Sequence, residues 1–437
     1  KENYVMFTMR KAGLIPLFVV FLANLCFAYC YRITEVSCGE YHSLLLADNG
    51  SLWACGSNGN LALGTDEISG TTDTLVQVKG ENGIGYLNNI VSFDAGWYHS
   101  LACDESGKIW AWGKDTKGQL GNGSGGNSMF PQRVLGIGGV GYLDDIVYVS
   151  AGRSGEHSLA INDNGYVYAW GYNLYGQCGN GNNVDQQTPV RVIKTNGNYL
   201  SNITEVNAGV HHSLALDENG DVWEFGSNNS QNRAVAVSGL PDIIHVATCG
   251  QSMALDVNGN VWYWTTGTPS RVVCGDMNTQ SGYLENIKEI SSGNGYNVAV
   301  DNDGFVWKWT NGGSPVRVTD GQMSTNSGYL ENIDNLDAGY FEFQLAVDND
   351  GVAWGWGVNS YGELGVGDYY AHPEPAMVGC AEGHLEIDLE QTPNDSCVSP
   401  EDEVEATFCV TNDMDISFEN IYVILHLDNG YSYPAGD

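Results

Sequence analysis

Between residues 37 and 357 the chain repeats one pattern seven times: a small residue and Gly, a short aromatic or polar turn, H-S-L-A-L-D, a D-x-x-G turn, then V-W-x-W-G. Its turn glycines are Gly50, Gly107, Gly165, Gly220, Gly259, Gly304 and Gly351, spaced 39 to 58 residues apart. Strand-like units returning at such a period specify a propeller or a solenoid. One unit cannot bury its apolar face alone, whereas stacked neighbours can.

Composition supports many short strands joined by tight turns. Gly accounts for 57 of 437 residues, about twice ordinary usage, and aromatic and β-branched residues fill the spaces between glycines. Each repeat reads as four strands. Strand A is the I-x-x-V-x-A-G stretch, strand B is H-S-L-A-L, strand C is V-W-x-W-G, and strand D is of the P-x-R-V type, as in Pro131 to Val134 and Pro189 to Val192. Small residues in strand A suit the crowded centre of a ring, and the apolar alternation in B and C fills the space between blades. In the D-x-x-G turn, Gly supplies the positive φ that closes a short hairpin.

The combination A-G-x-x-H-S-L-A-L-D-x-x-G-x-V-W-x-W-G-x-N-x-x-G-Q-L-G resembles the repeat of the regulator of chromosome condensation family, which implies a seven-bladed β-propeller. The second repeat carries it nearly whole, with Ala95-Gly96-Trp97-Tyr98-His99-Ser100-Leu101, Trp110-Ala111-Trp112-Gly113 and Gly118-Gln119-Leu120-Gly121. Repeats 4 to 6 lack G-Q-L-G, and Gln251, Tyr296 and Phe343 replace His in repeats 5 to 7. The resemblance extends from residue 33 to about 380 and carries the fold, not the partner. An insertion beginning Tyr-Leu recurs between strands D and A, at Tyr86, Tyr142, Tyr199, Tyr283 and Tyr329. In a four-stranded meander the D–A and B–C connections share one face of the ring, and the A–B and C–D connections share the other.

The fold class expected is therefore all-β, a seven-bladed β-propeller over residues 29–380 followed by a partial immunoglobulin-like β-sandwich over 381–437. Residues 1–28 read as a secretory signal peptide: Met9-Arg10-Lys11 precede an apolar run from Leu14 to Phe27 that is short for a bilayer span, with small residues near Ala28. A retained N-terminal anchor is the alternative. From Cys397 to Cys409 the chain resembles the start of an immunoglobulin-like repeat of bacterial surface proteins, and Tyr433-Pro434-Ala435-Gly436 resembles that module's closing segment. Within that resemblance a Cys397–Cys409 disulfide is expected, consistent with an oxidising compartment, with Cys380 as the rival partner.

A formal charge of −36, from 17 Lys and Arg against 53 Asp and Glu, disfavours nucleic acid and anionic lipid as partners. No membrane insertion of the mature chain is expected, and its oligomeric state is left open. No C-x-x-C or Cys/His spacing points to zinc. Cys38, Cys249, Cys55 and Cys178 stand where other repeats place Ala, Trp or Leu, as packing substitutions. The aligned His42, His99, His157 and His212 are expected to be structural, bonding neighbouring backbone. Asp301-Asn302-Asp303-Gly304 and Asp348-Asn349-Asp350-Gly351 resemble the head of a calcium loop, but Gly312 and Asn359 stand where its distal Glu belongs. They read as hairpin turns.

No nucleophile elbow, phosphate loop or zinc motif occurs, so neither catalysis nor a cofactor is expected. The expected function is a secreted or cell-surface binding propeller recognising an extracellular protein or glycan through one face, as the secreted β-lactamase-inhibitor propellers of the same repeat family do with a protein. The alternative is a structural or adhesive module of a longer surface protein. Guanine-nucleotide exchange, the activity best known for the family, is disfavoured by the export signal and the lack of a nuclear basic tail. The A–B turns supply the candidate partner-binding residues: Tyr41, Trp97, Tyr98, Arg153, His211, Tyr296, Tyr340 and Phe341. Aromatic side chains on short turns give large contact area at low entropic cost.

Overall fold

A computed structural model describes residues 32–379, apart from 67–69, 227–230, 275–281 and 322–326, together with a separate antiparallel strand pair, Tyr4–Met9 with Val404–Cys409. The signal-peptide reading, the immunoglobulin-like reading and the Cys397–Cys409 and Cys380 readings lie outside the described residues. Seven four-stranded antiparallel sheets make up the unit from Tyr31 to Gly379. Their A strands are Ile33–Cys38, Ile90–Ala95, Ile146–Ala151, Ile203–Ala208, Ile243–Thr248, Ile287–Ser292 and Ile333–Ala338. Each blade takes its four strands consecutively, from Ile33–Cys38 to Thr71–Gln77 in blade 1 and from Ile333–Ala338 to His372–Met377 in blade 7. Among the described residues, no strand is exchanged between the first blade and the last.

The core is a set of layers between blades. Strand B of blade 1, His42–Ala47, is buried on both faces: Leu44 and Leu46 pack into the layer shared with blade 2, and Leu45 and Ala47 into the layer shared with blade 7. A two-residue side-chain period with both faces covered produces this run. The described cysteines are free and buried, Cys38 and Cys55 within the layer between blades 7 and 1.

Side chains of strand A join the blades at the channel. The fifth residue of each strand accepts the N–H of the sixth residue in the next: Ala95 donates to Ser37 at 2.9 Å, Ala151 to Asp94 at 2.8 Å, Ala208 to Ser150 at 3.0 Å, Thr248 to Asn207 at 2.9 Å, Ala338 to Ser291 at 3.2 Å and Cys38 to Asp337 at 2.8 Å. The last of these closes the ring. Blade 5 carries Ala247 at the accepting position, so it donates to blade 4 through Thr248 but offers blade 6 no side-chain acceptor.

Histidines make a second inter-blade joint. Nε2 of His42, His99, His157 and His212 lies 2.9–3.0 Å from the Oγ of Ser100, Ser158, Ser213 and Ser252, each in the following blade. The sequence reading had these imidazoles bonding backbone. The correction follows from twist, which brings the H-S pair of one blade beside that of the next. Three of these serines donate onward to a C–D loop carbonyl, Ser100 to Ala62, Ser158 to Gln119 and Ser213 to Gln177. Burial pushes His42, His99 and His157 down to about 3 and His212 to about 4, so all four are neutral.

The acidic turns are occupied by their own hairpins. Asp301 Oδ1 accepts the N–H groups of Asp303 and Phe305, and Oδ2 accepts Trp307 Nε1 at 2.9 Å. Asp348 does the same with Asp350, Val352 and Trp354. On this face each Tyr of the D–A insertions meets a cation. Arg133 lies over Tyr142, Arg191 over Tyr199, Arg271 over Tyr283, Arg317 over Tyr329 and Lys79 over Tyr86, at 4.4 to 5.7 Å from the ring centroids.

Candidate functional site

The opposite face carries the A–B turns, which form a collar around the channel mouth. Glu40 N–H donates to Gly96 O at 3.3 Å, Trp97 to Gly152 at 2.9 Å, Val210 to Cys249 at 3.0 Å, Asn294 to Tyr340 at 3.4 Å and Tyr340 to Gly39 at 3.0 Å. Such backbone approach explains the repeat glycine. A Cβ on Gly39 would lie 2.4 Å from Gly96 O, and one on Gly293 would lie 2.5 Å from Gly339 O, both inside contact distance. The collar holds the turns in fixed positions.

Five of the candidates meet as one continuous arc over blades 7, 1 and 2. Tyr340 packs edge-on against Phe341 at 5.0 Å, Phe341 against Tyr41 at 5.2 Å, and Tyr41 stacks on Tyr98 at 5.2 Å, which in turn stacks on Trp97 at 5.2 Å. These residues come from three A–B turns, two of them 56 residues apart and the third more than 240 residues further along the chain. Lys114 caps the blade 2 end, 4.7 Å from the Trp97 ring and 5.0 Å from Tyr98, and pairs with Glu156 at 2.7 Å. Beneath the arc, burial pushes the Glu40 carboxyl up to about 7.

At the other end the arc borders a recess of about 510 Å³ lined by Tyr41, Tyr340, Phe341, Tyr361, Glu342 and Glu363, among others. Tyr361 stands 5.0 Å from Tyr41 at 82°. Glu342 holds φ +52°, a left-handed conformation unusual for a non-Gly residue and the kind of local strain that gathers at ligand sites. Glu363 is buried, its Oε2 accepting Tyr361 N–H at 2.7 Å, and burial raises its carboxyl above the usual range.

Three candidates have other places. His211 sits apart from the arc, 4.2 Å from the Tyr175 ring. Tyr296 is buried, its hydroxyl donating to Gly339 O and Phe343 O beneath the collar. It fills the strand B position where other blades have His, and so is removed from the exposed set. Arg153 is also buried. Its Nη1 donates to Ser291 Oγ at 3.0 Å, Ser292 O at 3.1 Å and Ala338 O at 2.7 Å, and its Nη2 meets Asp337 at 2.5 Å. It spans the channel from blade 3 to blades 6 and 7. Burial alone would lower the guanidinium, but Asp337 and Asp94 more than offset it.

Sequence reasoning missed Tyr361, Lys114 and Tyr175, which lie in or before C–D loops. The signal was present, since the parity of a four-stranded meander puts C–D loops on the face of the A–B turns. The loops persist in blades 7, 1, 2 and 3, where Asn359, Asn58, Asp115 and Asn173 each accept an N–H five residues on. This is also where the aromatic residues collect.

Comparison with known proteins agrees with the architecture. The regulator of chromosome condensation (RCC1) repeat matches residues 106–161 and 164–216, and a second form of it matches 33–60, 90–119, 146–177 and 203–231. The ultraviolet-B receptor UVR8 of Arabidopsis thaliana is 30% identical over 209 residues, 47% of this chain and 44% of that protein. The probable E3 ubiquitin-protein ligase HERC6 of Homo sapiens is 34% identical over 204 residues, 45% of this chain and 18% of that protein. The chain thus spans less than half the length of these relatives. The crystal structure of human WBSCR16 superposes with a TM-score of 0.60 at 18% identity, covering 75% of this chain and 94% of that one, a likeness of fold alone.

Proposed function

Because the chain carries regulator of chromosome condensation repeats folded as a seven-bladed β-propeller, we propose that it is a non-catalytic binding ring, secreted or displayed at the cell surface, that holds a protein partner through its A–B and C–D face. The observation that carries this reading is the aromatic arc Tyr340–Phe341–Tyr41–Tyr98–Trp97, part-exposed and immobilised on the hydrogen-bonded collar. Rigid aromatic groups on a pre-organised backbone lose little entropy on binding and dominate interface energetics. Export is supported by the basic and apolar start of the sequence, and a protein partner by the strongly acidic composition. The D–A face is a weaker candidate, since its tyrosines already stack on the molecule's own cations.

Pull-down from culture medium with wild-type protein, Trp97→Ala, Tyr340→Ala and Tyr142→Ala tests the proposal. Trp97→Ala and Tyr340→Ala are each expected to weaken partner binding by about 2 kcal/mol or more with melting transitions nearly unchanged, while Tyr142→Ala binds normally. Binding that survives both changes and fails with Tyr142→Ala moves the site to the D–A face. Loss on glycosidase treatment of the partner identifies a glycan instead.

A further inference from the structure

Among the described residues, the recess between blades 7 and 1 differs from the other ring pairs at the surface of this propeller in what accompanies its rings. Elsewhere the molecule supplies its own cation: Lys114 lies over Trp97 and Tyr98, Lys117 over Tyr172, Lys194 over Trp223, and four arginines over the tyrosines of the D–A insertions. Among the described residues, Tyr41, Tyr340, Phe341 and Tyr361 have no such partner. The recess they wall contains two carboxylates, Glu342 and Glu363, and no Lys, Arg or His. Negative ring faces beside carboxylates make a site that is electrostatically complete only with a positive group in it.

Its shape narrows the cation. Tyr361 stands at 82° to Tyr41, Tyr340 at 85° to Phe341, and Phe341 at 52° to Tyr41, so a group in the recess meets rings from several directions. A planar guanidinium stacks on one face, as Arg271 and Arg191 do on Tyr283 and Tyr199 here. An ammonium is compact and has no preferred plane, and it suits a box of steeply inclined rings. Glu342, projecting from a turn fixed by Val358 N–H on its own carbonyl at 3.2 Å, supplies the charge at the rim. The acidic balance of the chain, 53 acids to 17 bases, draws a basic segment toward it.

We propose that this recess receives the ammonium group of a lysine side chain on the protein partner. The inference rests on the binding-face reading above and specifies the chemistry of one of its anchor points. The methylated forms of lysine share that chemistry and bind the same walls with the rings as the principal contact.

The test titrates the intact protein at 0.15 M salt with acetyl-Gly-Lys-Gly-amide, with its norleucine and arginine counterparts, and with the trimethyllysine form, followed by NMR shifts or tyrosine fluorescence. The lysine peptide is expected to bind at least about tenfold more tightly than the norleucine peptide, and more tightly than the arginine one. Tyr361→Ala should weaken it about tenfold and Glu342→Gln about threefold, with Tyr142→Ala unchanged. Glu342→Gln preserves size and backbone, so it remains informative if the ring deletion unfolds the protein. Equal binding of norleucine and lysine peptides overturns the proposal, as does lysine binding that ignores both recess variants and reflects diffuse attraction to a polyanion. If the peptides fail while the pull-down still depends on Trp97, the cation assignment falls and the binding face stands. If lysine binds the recess while the partner is lost only with Tyr142→Ala, the face assignment is the one that falls.

Discussion

At the residue scale, the four aligned histidines are buried neutral relays, and their burial makes folding sensitive to acid. Each imidazole has an ordinary value of about 6.5 in the unfolded chain and a folded value lowered to about 3 or 4. The unfolded chain therefore binds protons that the folded chain refuses, and the stabilisation, full above about pH 6.5, is lost as pH falls toward the folded values. Urea midpoints measured from pH 7 down to pH 4.5 should decline, and His157→Gln should decline less steeply, by about one proton's worth of slope. Unchanged slope in the variant would refute the assignment. His245 behaves oppositely. Burial would lower it, but Glu205, 2.9 Å away, and Glu289 raise it to about 9. Its contribution is full below about pH 6.5 and is lost as pH rises through about 9.

At the scale of strands and loops, blades 1 to 4 are each fastened to the next by a histidine–serine joint, and a loop carbonyl extends the first three of these joints. Ser158 serves both His99 and the Gln119 carbonyl, whereas among the described residues the Ser252 hydroxyl meets His212 alone, in keeping with the loss of G-Q-L-G from repeat 4. Ser158→Ala should cost about 1–3 kcal/mol by leaving a buried group without a partner, and Ser252→Ala should cost less. Chemical denaturation of the two variants side by side checks this, and equal losses would contradict the relay. The C–D loops of blades 7, 1, 2 and 3 share one side of the ring with the aromatic arc, so the A–B and C–D face is asymmetric.

On the scale of the whole molecule, the first and last blades each take four consecutive strands, and side chains join them. Asp337 of blade 7 accepts the Cys38 N–H of blade 1 through Oδ2 and holds Arg153 and Ser291 through Oδ1. Asp337→Asn and Arg153→Met each leave one buried charge without its partner and should each destabilise the fold by about 3–5 kcal/mol, whereas the double change should cost less than the sum of the two. Equilibrium unfolding of the three variants decides it: strictly additive costs would show that the cross-channel pair is not coupled. Arg153 thereby links blade 3 to blades 6 and 7 across the channel.

The seven-fold repeat, the four strands of each blade and the identity of the two faces were legible from the spacing of seven turn glycines and from the parity of a meander, because these are local or counting properties of the chain. The aromatic arc was half legible: the A–B turns named Tyr41, Trp97, Tyr98, Tyr340 and Phe341, but nothing local shows that turns from blades 7, 1 and 2 become neighbours until the ring is closed. Arg153 and Tyr296 show the limit. Each stands on an A–B turn or at its edge like the others, yet one reaches 184 residues along the chain to Asp337, and the other turns inward to the carbonyls of Gly339 and Phe343. Pattern along the chain determined which elements form and which face they share. Whether a side chain on that face is offered to a partner or consumed by the ring was decided only in three dimensions, where distant blades supply or withhold a place for it.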